Sequence, residues 1–129
     1  MTEIDNLSNP KGFNNPATLV DLDTGKKYTI PSEPGEYSIG RKDNDSTAII
    51  QIETKDKYMS KTHIGIRVQK TNNLFVYDFR IYKNAKNPII LDGRLLTYKG
   101  NDYIPLDKNQ VIRFPYVKLR LIDDKNTKE

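Results

Sequence analysis

The feature that most limits how this chain can fold is its repeated switching between short β-branched or aromatic runs and clusters of Gly, Pro, Asn and Asp. Turn signals recurring roughly every 8 to 12 residues between such runs mark strands joined by tight loops, the pattern of an all-β sandwich. No long helical period competes with it. The expected strands are 18–21, 27–30, 36–41, 49–52, 63–69, 75–79, 89–91, 94–98, 103–106, 111–114 and 118–122. Alternation is clearest at Ile64, Ile66 and Val68, which should face the core while Gly65, Arg67 and Gln69 face outward; Val117, Leu119 and Leu121 repeat it. Asp23-Thr24-Gly25, Thr71-Asn72-Asn73 and Asp92-Gly93 supply residues that tolerate positive φ, so they are the expected hairpin turns.

At 129 residues the chain suits one domain. Residues 17–122 carry the strand pattern. Residues 1–16, polar and rich in Asn and Pro, read as a mobile N-terminal segment or linker, and 123–129 as a polar C-terminal tail. Cysteine is absent, which excludes disulfides, thiolate zinc sites and thiol redox chemistry and leans towards a reducing compartment. No signal-like apolar stretch opens the chain, and no run of about 18 apolar residues could span a bilayer. The expectation is a soluble, cytoplasmic protein without a membrane partner.

The 21 Lys and Arg against 17 Asp and Glu give a net charge of +4, which favours acidic partners, but the basic residues are scattered. The eight tyrosines fit strand positions, and no motif interleaves aromatics with basic residues, which argues against nucleic acid. One histidine leaves only carboxylates as metal ligands, and Asp43, Asp45 and Asp56 lack calcium-loop spacing. No metal or cofactor is expected.

Two segments at strand–loop junctions carry the chemistry: Tyr37-Ser38-Ile39-Gly40-Arg41 and Met59-Ser60-Lys61-Thr62-His63. Ser60 and His63 invite a nucleophile–base reading. Positions three apart on a strand point to opposite faces, however, and no acid is evident to orient the imidazole, so an enzyme is not expected. Gly-Arg closing one strand, Ser-x-x-His opening another about twenty residues on, and Lys86-Asn87-Pro88 leading to Leu91-Asp92-Gly93 together resemble the forkhead-associated (FHA) domain. The likeness covers roughly residues 18–122. Gly-Arg alone would be better read as a solvated surface arginine; the order and spacing of all three segments reverse that preference.

The resemblance implies a β-sandwich of about eleven strands with recognition loops at one end, binding phosphothreonine peptides in Ser/Thr kinase signalling without catalysis. Arg41, Ser60 and Lys61 would bind phosphate, Asn87 and Lys86 the peptide backbone, and Gly40 and His63 would support the site. Lys61 stands where the family often has Arg or Asn, and Lys86 where it has Thr or Ser. Pro88 replaces the usual glycine and forbids positive φ there, so the loop is expected to be reshaped. Because the 80–86 stretch is also long, Asn84 competes with Asn87 for the amide role. The alternative is a degenerate FHA domain that binds a partner independently of phosphorylation, as a monomer or within a larger assembly.

Overall fold

The computed structural model describes residues 12–123, which form twelve strands in two sheets. The strands are β1 (Gly12–Phe13), β2 (Ala17–Asp21), β3 (Lys27–Thr29), β4 (Gly35–Arg41), β5 (Ile50–Ile52) and β6 (Ile64–Thr71). There follow β7 (Leu74–Ile81), β8 (Ile89–Leu91), β9 (Arg94–Leu96), β10 (Ile104–Leu106), β11 (Val111–Phe114) and β12 (Val117–Asp123). One sheet runs β1-β7-β6-β4-β5, with β10 also pairing β7; the other runs β3-β2-β12-β11-β8-β9. Among the described residues no helix is long and apolar enough to cross a membrane.

Local chemistry sets the hairpins. Asn72 and Asn73 at φ +52° and +67° make the two-residue turn between β6 and β7, and Asp92 and Gly93 at +52° and +77° make that between β8 and β9. Positive φ at both central residues matches the turn to the right-handed twist of the strands. Between β2 and β3, the Asp21 carboxylate accepts the Asp23 and Thr24 N–H groups, and Gly25 takes φ +78°.

Period-two alternation then buries one face of each sheet. On β7, Phe75, Tyr77, Phe79 and Ile81 point inward, meeting Leu19, Ile112, Phe114, Leu119 and Leu121 of the second sheet. The Tyr77 hydroxyl crosses this core to accept the Ala17 N–H at 2.8 Å, so a polar tip inside an apolar layer is satisfied by the facing sheet. Burial pushes the Tyr77 hydroxyl up to about 12.

The outer face of the first sheet is covered where the alternation suggested solvent. Gly65 is buried, and a Cβ there would meet Tyr82 Oη at 2.2 Å and Glu36 Oε2 at 2.3 Å. Glu36 accepts from Arg80, Tyr82 and Tyr103. Burial works to raise its carboxyl, but these donors together hold it below the usual range.

The first sheet takes in residues that precede residue 17. Gly12 pairs with Val76 and Phe13 with Phe75, and Phe13 is fully buried, edge-on to Tyr77 with ring centroids 4.9 Å apart. A two-residue strand is too short to show alternation, which is why residues 12–16 read as linker. Residues 1–11 and 124–129 lie outside the described residues, and Asp123 belongs to β12 rather than to a tail. The expected strand 94–98 stops at Leu96.

Register gathers three loops at one end. Arg41 stands opposite Ile52, Ile39 opposite Ile64, and Ile64 opposite Ile81. The ends of β4, β5 and β7 and the start of β6 therefore meet at one rim, which carries loops 42–49, 53–63 and 82–88.

Removing the Phe13 ring should cost about 3–5 kcal/mol, as for other buried aromatics truncated to alanine. Phe13→Ala is thus expected to lower the urea midpoint markedly, whereas an unattached lead-in would leave it unchanged.

Candidate functional site: a cationic cleft at one rim

Loop 53–63 folds back onto β4 so closely that only glycine fits beneath it. A Cβ on Gly40 would lie 1.8 Å from the Lys61 carbonyl oxygen and 2.3 Å from its carbon. The contact is cemented by Arg41 N–H donating to the Ser60 carbonyl at 2.9 Å and His63 N–H donating to the Ile39 carbonyl at 2.8 Å. Met59 is fully buried and anchors the loop in the core.

His63 joins two loops. Its Nδ1 accepts the Ser60 backbone N–H at 3.0 Å, which places the ring proton on Nε2, where it is donated to the Asn87 carbonyl at 2.9 Å. The ring is fully buried and edge-on to Phe114, with centroids 5.1 Å apart. Burial lowers the His63 pKa, and the Asn87 hydrogen bond only partly opposes it. The imidazole takes the serine's N–H and not its hydroxyl, whose oxygen accepts from Lys86.

Above this support opens a cleft of about 470 Å³ lined by Arg41, Lys57, Ser60, Lys61, Asn84 and Lys86. Arg41 is aimed by two bonds, Nε to the Met59 carbonyl at 3.0 Å and Nη1 to Asp43 at 2.9 Å. That leaves Nη2 without a partner among the described residues. The Asn44 N–H and then Arg41 hold the Asp43 carboxyl below its ordinary range. Lys61 pairs with Asp45 at 2.6 Å. Ser60 Oγ accepts the Lys86 N–H at 3.3 Å, and its own proton is unused within the described residues. Chemically the cleft offers a free guanidinium edge, a free hydroxyl proton and mobile ammonium groups, a donor set for a tetrahedral oxyanion.

Four expected residues, Arg41, Ser60, Lys61 and Lys86, share this cleft, and Gly40 and His63 lie under it. Asn87 does not line it. Its Nδ2 donates to the Tyr58 carbonyl at 3.1 Å, and it borders a neighbouring hollow with Lys57 and Tyr58. Asn84 is the amide in the cleft, donating to the Thr62 carbonyl and hydroxyl at 3.1 and 3.0 Å. Sequence reasoning missed Lys57, one charged residue among several in its loop, and the pairing roles of Asp43 and Asp45.

A two-sheet β-sandwich presenting an arginine, a serine and three lysines from the loops of one rim has the build of a recognition module. The FHA domain family model matches residues 37–115, more than half of the chain. The chain belongs to the FHA family. Its fold is similar to that of the FHA domain of the CT664 protein from Chlamydia trachomatis, with 22% identity and a TM-score of 0.63 over 84% of this chain and 98% of that one. It is also similar to the MEK1 FHA domain in complex with a HOP1 phosphothreonine peptide, with 16% identity and a TM-score of 0.64 over 86% and 99%. Full-length yeast Pml1p matches with 20% identity and a TM-score of 0.63 over 83% and 81%. No curated protein sequence matches the chain.

Two outcomes test the support. Gly40→Ala should cost about 1–3 kcal/mol by overpacking, read by denaturant unfolding, with the largest NMR shift changes at residues 59–63. A histidine whose folded pKa is depressed contributes stability that is complete above its unfolded pKa of about 6.5 and lost as pH falls through the folded value. Urea midpoints should therefore drop on acidification below about 6.5, and His63→Gln should flatten that part of the profile.

Proposed function

We propose that this FHA domain binds phosphothreonine-containing protein segments at the cleft of Arg41, Ser60, Lys61 and Lys86, as an interaction module and not an enzyme. The observation that carries the reading is the convergence of the free Nη2 of Arg41 and the free hydroxyl proton of Ser60 on one cleft. A phosphate of about −1.5 to −2 charge with three strong acceptor oxygens complements that pair. Lys61 adds a point charge once its exposed pairing with Asp45 is exchanged for phosphate, an exchange that costs little because such surface pairs contribute about 0–1 kcal/mol. Asn84 is the better-placed amide for the peptide backbone, and Asn87 acts through its carbonyl on His63. That the similar MEK1 FHA domain is solved with a phosphothreonine peptide supports the phosphopeptide reading. Signalling downstream of a Ser/Thr kinase, in the cytoplasm, is the setting we assign.

One observation favours the phosphorylation-independent alternative: the Asn87 amide is already spent on Tyr58 and stands outside the cleft. Phosphatase treatment of the ligand separates the two, since only phosphate recognition is lost with the phosphate.

With about 1.5–3 kcal/mol per charge-assisted bond, Arg41→Ala should weaken phosphopeptide binding by at least about a hundredfold in calorimetry. Arg41→Lys should retain little, lacking the fork, and circular dichroism should show both variants folded. A buried γ-methyl is worth about 1 kcal/mol, so the phosphoserine version of the peptide should bind several-fold more weakly. Unchanged affinity for Arg41→Ala would dismiss this site, and equal titrations of the two phosphopeptides would show that the γ-methyl is not buried on binding.

A further inference from the structure

Basic residues that lie scattered along the sequence gather on the outer face of the second sheet. Burial alternates along β11 and β12, so Ile112, Phe114, Leu119 and Leu121 face the core while Val111, Arg113, Lys118 and Arg120 face outward. Register sets the outward residues in rows. Ile90, Arg113 and Lys118 stand side by side on β8, β11 and β12, and Leu95 extends that row at the β9 edge, 68% exposed. In the next row, Val111, Arg120, Val20 and Lys27 alternate aliphatic and cationic side chains across β11, β12, β2 and β3.

Nothing on this face balances its charge. No outward position of its six strands holds a carboxylate. The side chains of Lys27, Arg113, Lys118 and Arg120 make no ion pair or hydrogen bond among the described residues. The first sheet is different: on its outer face Asp78 holds Arg67 through two bonds and Glu36 holds Arg80. Arg113 and Lys118 instead stand directly opposite each other on an antiparallel pair, where like charges destabilise a sheet. Turns at the margins bring Asp23 and Asp92, the latter accepting from Gln110, and four cations outweigh these two carboxylates. Lys108, beside the face, is paired with Asp123. A cavity of about 340 Å³ opens next to Arg113, lined by Ile90 and Val111 of the face together with Lys108 and Gln110.

Composition selects the occupant. Cations interleaved with aliphatic side chains complement a segment that carries both carboxylates and apolar residues, the mixture that protein interfaces use. No outward position is aromatic, so nucleic-acid bases would find nothing to stack on. Ile90, Val111, Val20 and Ile122 are half-buried among the strands, which leaves a bilayer little apolar surface to take up. We infer that the outer face of the second sheet docks a protein partner through an acidic segment that also carries apolar residues. Six strands at about 4.8 Å spacing make the face about 24 Å wide, room for one such segment. The four cations of the face lie outside the lining of the phosphate cleft, so the inference holds with or without phosphothreonine binding.

The test uses the full chain and an unphosphorylated synthetic peptide with serine at every second position and glutamate and leucine alternating between, so that an extended chain shows both on one face. A counterpart with glutamine for glutamate isolates the charge. In fluorescence anisotropy at low salt, wild type should bind the glutamate peptide about tenfold more tightly, as several exposed ion pairs acting together would give. NMR shift changes should fall on β2, β3, β11 and β12. Combining Arg113→Gln, Lys118→Gln and Arg120→Gln should bring the two peptides to equal affinity. Lys118→Gln alone should keep or raise the urea midpoint, since a repulsion is removed. A lower midpoint would mean that the cation serves the fold, and the inference would be overturned. It would be overturned equally by shift changes confined to the rim loops, by equal affinities in wild type, or by a preference that survives the triple variant. Tighter binding of random duplex DNA or of phosphatidylserine vesicles through the same residues, or self-association lost in the triple variant, would give the face to another occupant and also overturn it.

Discussion

A neutral imidazole with no access to water holds the loop-bearing rim of this domain together. His63 is the point where loop 53–63 and loop 82–88 meet: one ring nitrogen takes a proton from the Ser60 backbone and the other gives one to the Asn87 carbonyl. Both partners are main-chain groups, so the ring fixes where two loops run without engaging the Ser60 or Asn87 side chain. Protonation would set an N–H donor against the Ser60 N–H donor and place an unpaired charge between the sheets, and burial disfavours that form. Phe114 packs across the ring from the second sheet, so the loops are tied to both layers at once.

The sandwich prepares this by bringing strand ends to a common height. Register aligns Arg41, Ile52, Ile64 and Ile81 at one rim, so three loops start from neighbouring points on a packed base. Core packing then transmits position outward: Met59 is sunk among the core residues one position before Ser60. Gly40 lets the loop touch the strand beneath it. On the outer face, Tyr82 donates to Glu36 through its side chain and to the His63 carbonyl through its backbone, so loop 82–88 leaves the sheet from a fixed residue. Side chains needed for recognition are thereby spared the work of holding their own loops, which is how a rigid scaffold supports function on surface segments.

What the sequence disclosed follows from how local each signal is. Strand alternation in β6, β7 and β12 and the Asn-Asn and Asp-Gly turns are properties of adjacent residues, and they appear in the structure much as they read. Gly40, Arg41, Ser60 and His63 could be grouped because their order and spacing along the chain resemble a family's pattern. Lys57, Asp43 and Asp45 could not, since an exposed charge acquires a role only through neighbours that the fold brings up. The choice between Asn84 and Asn87 was equally hidden. It turns on whether a side chain donates to Thr62 or to Tyr58, contacts that span more than twenty residues of sequence. Phe13 marks the opposite limit, a core residue on a strand too brief to show a period.

Arg41 illustrates how such a site can be both paired and open. An arginine committed to an internal carboxylate through both terminal nitrogens would be a structural ion pair, and a ligand would have to break it. Here Asp43 takes only Nη1 and the Met59 carbonyl takes Nε, so the plane of the guanidinium is set before any ligand arrives and one edge stays available. Its side chain is only 15% exposed, so little rotamer freedom remains to be lost on binding. The same carboxylate offsets part of the charge that would otherwise make the rim attractive to any polyanion. What is left open at Arg41 and Ser60 is a directed edge and a directed hydroxyl, whereas Lys57 and Lys86 add charge without fixed geometry.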